Sequence, residues 1–163
     1  PGHCLLRPFL VPVESGGGRG AFRRLSARAG RRTAPAHNPA AARVVAAYVR
    51  DWLAARPGAR LILVWGMMAD KDRQGFWAPF QGLASDVVLT QADLARSAPV
   101  SVLRQVVAGQ PVRCHEAPRV PEALDLARRL ASEQDLICVT GSLMLVGDVK
   151  ACLRGGAVSP LRG

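Results

Sequence analysis

Three short stretches of this sequence carry side chains that could do chemistry. In "TAPAHNPAAARVV", His37 and Asn38 stand directly before a proline and an alanine-rich run. "GMMADKD" sets Lys71 between Asp70 and Asp72, and "CVTGS" ends on Gly141 and Ser142. Each has a purely structural reading. Asn38 suits a helix N-cap, with Pro39 in the first turn where a missing N–H costs nothing. The aspartates and lysine suit a solvated loop, while Gly141 allows a tight turn and Ser142 caps the helix after it. Each also has a chemical reading. A helix mouth with a histidine favours an anionic or polar substrate group. A lysine after a buried strand is a point charge for phosphate or carboxylate, and a glycine–serine turn offers backbone N–H groups and a hydroxyl to an anion.

Regular elements must hold these stretches in place. "NPAAARVVAAYVRDWLAARPG" reads as a helix with an apolar face of Val44, Val45, Tyr48, Val49, Trp52 and Leu53, closed by Pro57-Gly58. "RLILVWG" is an uninterrupted apolar run of strand length, the mark of a strand buried on both faces. "RQGFWAPFQGLA" predicts an imperfect helix broken at Pro79. After it, strand and helix alternate: "DVVLT", "PVSVLRQVVAG", "PVRCHEA", "VPEALDLARRLASEQ", "DLICVTG" and "SLMLVGDVKACLRG". Such alternation predicts an α/β fold, a Rossmann-like, mostly parallel sheet with helices on both faces. Ligands in such sheets bind beyond the carboxyl ends of the strands, and all three polar stretches fall at or near such ends. The strand expected before "AHNP" is missing, because "RRTAP" contains no apolar run.

Composition narrows the function classes. The net charge of +10 invites a nucleic-acid reading, yet residues 1–36 hold seven arginines against one acid, and the remaining residues fifteen basic against eleven acidic. The Arg/Gly/Ala/Ser-rich leader, residues 1–35, is expected to be disordered or artefactual, as from an out-of-frame reading, rather than an RNA- or DNA-binding arm. Residues 156–163 read as a tail. No apolar run reaches the ~20 residues that span a bilayer, and the opening lacks a secretory cleavage pattern. Cys4, Cys114, Cys138 and Cys152 form no C-x-x-C pair, and His3, His37 and His115 complete no zinc pattern. No metal site is expected. Cys114 and Cys138 read as buried free thiols of a protein in a reducing cytosol. The chain does not begin with Met and is expected to be part of a longer protein.

Taken together, "AHNPAAARV", "LVWGMMADKD", "VVLTQ" and "CVTGSLMLVGDVKACL" resemble the C-terminal domain of the folylpolyglutamate synthase / dihydrofolate synthase family, a branch of the Mur-ligase superfamily. The resemblance spans about residues 36–155, and its most telling piece is "GMMADKD", close to the family's G-M-L-A-D-K-D. It implies an ATP- and magnesium-dependent amide ligase of one-carbon metabolism. A folate or dihydropteroate carboxylate is phosphorylated, and the amine of L-glutamate attacks the acyl phosphate. By similarity, His37, Asn38 and Ser142 would lie near the glutamate and nucleotide pocket, and Asp70, Lys71 and Asp72 would face the phosphates. The family's C-terminal domain closes over a nucleotide held by a central ATPase domain. That domain carries the phosphate loop and the magnesium ligands, and these 163 residues contain no G-x-x-x-x-G-K-[ST]. The isolated chain is therefore expected to be inactive. Ala34 and Pro35 also stand where the family has Asp-Gly. The alternatives are a non-catalytic nucleotide- or anion-binding module of the same fold, or a peptidoglycan ligase's C-terminal domain.

Overall fold

The computed structural model describes residues 9–12 and 38–153. In chain order the elements are β1 (Phe9–Pro12), α1 (Pro39–Ala54), β2 (Leu61–Trp65), α2 (Arg73–Trp77) and a 3-10 turn (Ala78–Phe80). They continue with β3 (Asp86–Gln91), α3 (Val100–Val107), β4 (Arg113–Arg119), α4 (Val120–Leu130), β5 (Leu136–Thr140) and α5 (Leu143–Leu153). Five strands form one sheet in the order β1-β5-β2-β3-β4. β5, β2, β3 and β4 are parallel, and β1 adds an antiparallel edge on β5.

The central strand explains the arrangement. All five residues of β2 are fully buried. Leu61, Leu63 and Trp65 enter one apolar cluster with α1, α2 and α3, and Ile62 and Val64 enter the other with α4 and α5. The chain runs from β2 outward through β3 to β4 with its helices on the first face. It then returns beneath the second face, through α4, to place β5 on the far side of β2. The topological switch point therefore lies between β2 and β5, where α/β sheets open a crevice at their carboxyl ends.

Punctuation in the chain gave the element boundaries. Asn38 Oδ1 accepts from Ala41 N at 2.9 Å, the expected N-cap of α1. Pro79 ends α2 and leaves only a 3-10 turn, also as expected. Four readings need correction. Val44 is 64 % exposed, because a helix laid on a sheet buries a narrower stripe, here Ala41, Ala42, Val45, Ala46 and Val49. α4 stops at Leu130, because Ser132 N–H and Oγ bond Asp135 Oδ2 at 2.8 Å and draw 131–135 into a turn. Cys114 is exposed, since β4 is an edge strand with polar neighbours and pairs only with β3; Cys138, in β5, is buried. Four residues of the segment read as a leader, Phe9–Pro12, form strand β1. Cys4 and the tail of 156–163 lie outside the described residues. Among the described residues, no helix is long and apolar enough to cross a membrane.

The amino ends of the strands are tied by charge. Arg60, just before β2, donates from Nη2 to Asp135 Oδ2 at 2.6 Å and from its backbone N–H to Asp135 Oδ1 at 2.8 Å. Burial pushes the Asp135 carboxyl up, but the Arg60 guanidinium and the N–H groups of Ser132 and Arg60 outweigh it and bring the pKa down to about 2. A folded-state pKa below the unfolded value means that this stabilisation is complete above about pH 4 and is lost as pH falls toward 2. It amounts to about 2 kcal/mol. Asp135→Asn should therefore melt well below the parent chain at pH 6, and the gap should close between about pH 4 and pH 2. A constant gap across thermal melts in that range would show that Asp135 acts through packing alone.

Candidate functional site

The β2 and β5 strand ends meet at two glycines. A Cβ on Gly141, whose φ is +110°, would come within 2.6 Å of Trp65 Cδ1 and 2.5 Å of Gly66 O. A Cβ on Gly66 would meet Thr90 O at 2.6 Å. Only glycine lets the three strand ends approach so closely. Beyond Gly141, Ser142 is buried and its Oγ accepts from Met144 N at 3.2 Å, which caps α5. The cap uses a lone pair of the hydroxyl and leaves its proton available to donate.

The loop after β2 is pinned by the loop after β3. Ala98 N–H donates to Met67 O at 2.8 Å and Ala69 N–H to Arg96 O at 2.9 Å, around an antiparallel bridge between Met68 and Ser97. This presents Asp70, Lys71 and Asp72 at the carboxyl edge. Lys71 Nζ donates to Asp70 Oδ2 at 2.7 Å. That bond, with the added charge of Arg96, lowers the Asp70 pKa. Asp72 is used differently: its Oδ1 accepts from Gly75 N at 2.9 Å and caps α2. A Cβ on Gly75 would lie 2.8 Å from Pro39 Cγ, so the mouths of α1 and α2 are packed together. Asn38 and Asp72, the two cap residues, thereby come to one corner of the sheet edge.

The residues singled out from sequence thus divide. Asn38, Asp70, Lys71 and Asp72 gather around the β2 end, and Ser142 stands at the neighbouring β5 end. His37 lies outside the described residues. Asn38 and Ser142 perform the capping that their types suggested, and Asp72, read from sequence as a loop residue, caps α2 as well. Only Asp70 and Lys71 have side chains directed to one another rather than to the backbone. Arg96 was not singled out from sequence; its only signal was a cation in a loop after an apolar strand. Asp148, on α5, was not singled out either; it stands with Asp93 at a cleft of about 550 Å³ between the β3 and β4 ends. Burial raises the Asp148 pKa, and the Asp93 charge adds to this against a backbone N–H from Asp93. Among the described residues, no group of three or more His, Cys, Asp or Glu could hold a metal ion. The one carboxylate at the β2 loop that is not a helix cap, Asp70, is already paired with Lys71.

A family model described as "Mur ligase, glutamate ligase domain" matches residues 32–143. Among solved structures, E. coli FolC in complex with DHPP and ADP superposes with a TM-score of 0.66 at 25 % identity, covering 76 % of this chain and 28 % of that one. Mycobacterium tuberculosis folylpolyglutamate synthase complexed with ADP gives 0.62 at 27 % identity, over 74 % and 29 %. The bifunctional folylpolyglutamate synthase/dihydrofolate synthase of Yersinia pestis, complexed with AMPPNP and a Mn ion, gives 0.65 at 25 % identity, over 75 % and 28 %. The chain therefore spans less than a third of the length of the structures it matches. No curated protein matches it.

Proposed function

Because the chain belongs to the Mur ligase glutamate-ligase domain family, we propose that it is the glutamate-ligase domain of a cytoplasmic folylpolyglutamate synthase / dihydrofolate synthase. The reaction joins a folate or dihydropteroate carboxylate to L-glutamate at the expense of ATP. The carboxylate takes the γ-phosphoryl group and ADP leaves. The glutamate amine then attacks the acyl carbon, phosphate departs, and the nitrogen loses a proton. The observation that carries this reading is the convergence of the Asp70–Asp72 loop and Ser142 at the β2/β5 switch point, in a fold shared with nucleotide-bound ligases.

In this reading the chain supplies one wall of an active site. Lys71 presents a positive charge where phosphoryl oxygens gather, and Asp70 holds its ammonium in place. Ser142 keeps a hydroxyl proton for a substrate oxygen, and Asn38 keeps its amide NH2, since the α1 cap uses only Oδ1. His37, by the family resemblance, would serve the glutamate and nucleotide pocket. Magnesium, when bound, would neutralise phosphate charge. Among the described residues no three carboxylate, thiol or imidazole groups come together, and by the family resemblance ATP and magnesium would be held mainly by a central domain. Positioning and charge neutralisation are then this chain's whole contribution.

The test is a chimera in which residues 36–155 replace the corresponding segment of E. coli FolC. ATP-dependent ligation of L-glutamate to a folate is expected from the chimera, and background from the 163-residue chain alone. A folded chimera that binds ADP but never ligates would favour a non-catalytic nucleotide-binding module. Turnover with a peptidoglycan precursor instead of a folate would assign the chain to the other branch of the superfamily.

A further inference from the structure

Two buried polar side-chain atoms at the switch point have no hydrogen-bond partner, Trp65 Nε1 and Thr140 Oγ1. Both residues are wholly buried, and buried indole N–H and hydroxyl groups are otherwise almost always bonded. They are also neighbours. Trp65 and Thr140 are register partners across β2 and β5, the last residue of each strand, so the pleat places both side chains on the same face. A Cβ on Gly141 would stand 2.9 Å from Trp65 Nε1, so the indole N–H edge lies under the Gly141 turn, where β5 passes into α5. The rest of the indole is fixed by stacking on Phe76 and Trp77, with ring centroids 6.0 and 5.6 Å away.

The chemistry of the pair selects its occupant. An indole N–H can only donate, and a threonine hydroxyl can donate as well. A single oxygen that accepts from both satisfies the two atoms together. The N-termini of α1 and α5 stand at the same sheet edge and favour an oxygen that carries negative charge. The two turns above are both glycine and pack closely, Gly66 on Thr90 O and Leu145, Gly141 on Gly66 O and the indole. Resting on the ligase reading above, we propose that Trp65 and Thr140 form a two-donor subsite for a carboxylate oxygen of the amino-acid substrate. The pair is enclosed in the free chain, so binding there requires the Gly66 and Gly141 turns to part.

The test uses the full 163-residue chain and its indole N–H resonances in NMR, one each from Trp52, Trp65 and Trp77. Trp65→Phe identifies the resonance of interest by its loss. Titration with L-glutamate should move that resonance downfield and saturably, while Trp77, already bonded to Gln110 Oε1 at 2.6 Å, stays in place. Thr140→Val should weaken the response about tenfold, the worth of one hydrogen bond to a charged group, and Thr140→Ser should restore it. A parallel titration with ADP separates the two possible sources of anionic oxygen. Movement with ADP but not with L-glutamate would assign the pair to a phosphate and overturn the carboxylate. No movement with either, up to the solubility limit, would overturn the subsite. The ligation assay on the FolC chimera stands independently of all these outcomes.

Discussion

Lys71→Ala in the FolC chimera is expected to lower kcat/KM by about 10²–10³, since a donor aimed at developing charge is worth about 2.7–4 kcal/mol. The same substitution should barely change stability. The Lys71–Asp70 pair is at the surface, with side-chain exposures of 37 % and 61 %, and such pairs contribute about 0–1 kcal/mol. Backbone bonds to the loop after β3, and the Asp72 cap on α2, hold the loop without the lysine. Steady-state kinetics and thermal melts on the same preparation separate the two effects. If the variant melts as the parent and ligates at the parent rate, Lys71 is a solvated loop residue. The phosphate-facing reading of "ADKD" would then be withdrawn.

Arg113→Ala should have the largest effect on folding, a clear fall in the denaturant midpoint, because it takes the two-pronged partner from an enclosed carboxylate. The Asp86 side chain is fully enclosed at the start of β3. Arg113, on β4, grips it with Nε on Oδ1 at 2.8 Å and Nη2 on Oδ2 at 2.7 Å. This grip is the main reason the Asp86 pKa is lowered, against the opposing effect of burial and with help from His115. Without Arg113 the carboxylate keeps His115 Nε2 at 3.0 Å and Arg60 Nη1 at 3.8 Å, which limits the damage. Asp86→Asn combined with Arg113→Ala should cost less than the sum of the two single changes, because the buried charge is then gone. Denaturant unfolding of the three variants measures the coupling. An Arg113→Ala cost within about 0.5 kcal/mol would mean that water reaches Asp86 freely, and the pair would rank with ordinary surface ion pairs.

Much of this protein was legible along the chain because its determinants are local. Continuous apolar runs such as "LILVW" mark strands buried on both faces, and β2 is buried on both. Caps and breakers act within four residues, so Asn38, Pro79 and Ser142 do in the fold what their types suggested. The α/β class follows from the alternation of such elements, and the family resemblance from motifs of under a dozen residues each.

Strand order is a different kind of fact. That β5 returns to the far side of β2, and so sets the end of β5, just before Ser142, next to the end of β2, depends on crossovers that join residues about seventy positions apart. Tertiary contact alone drew Arg96 to Ala69, placed Cys114 on an exposed edge, and joined the mouths of α1 and α2 at Gly75 and Pro39. Nor does any periodicity mark Trp65 and Thr140 as a pair. In the sequence one is simply an aromatic and the other a β-branched residue, each ending an apolar run. Only the β2–β5 register sets the indole N–H and the hydroxyl side by side without partners. Hydrophobic pattern states whether a residue is buried. Which polar atoms meet inside depends on sheet topology, and no local stretch of chain encodes that.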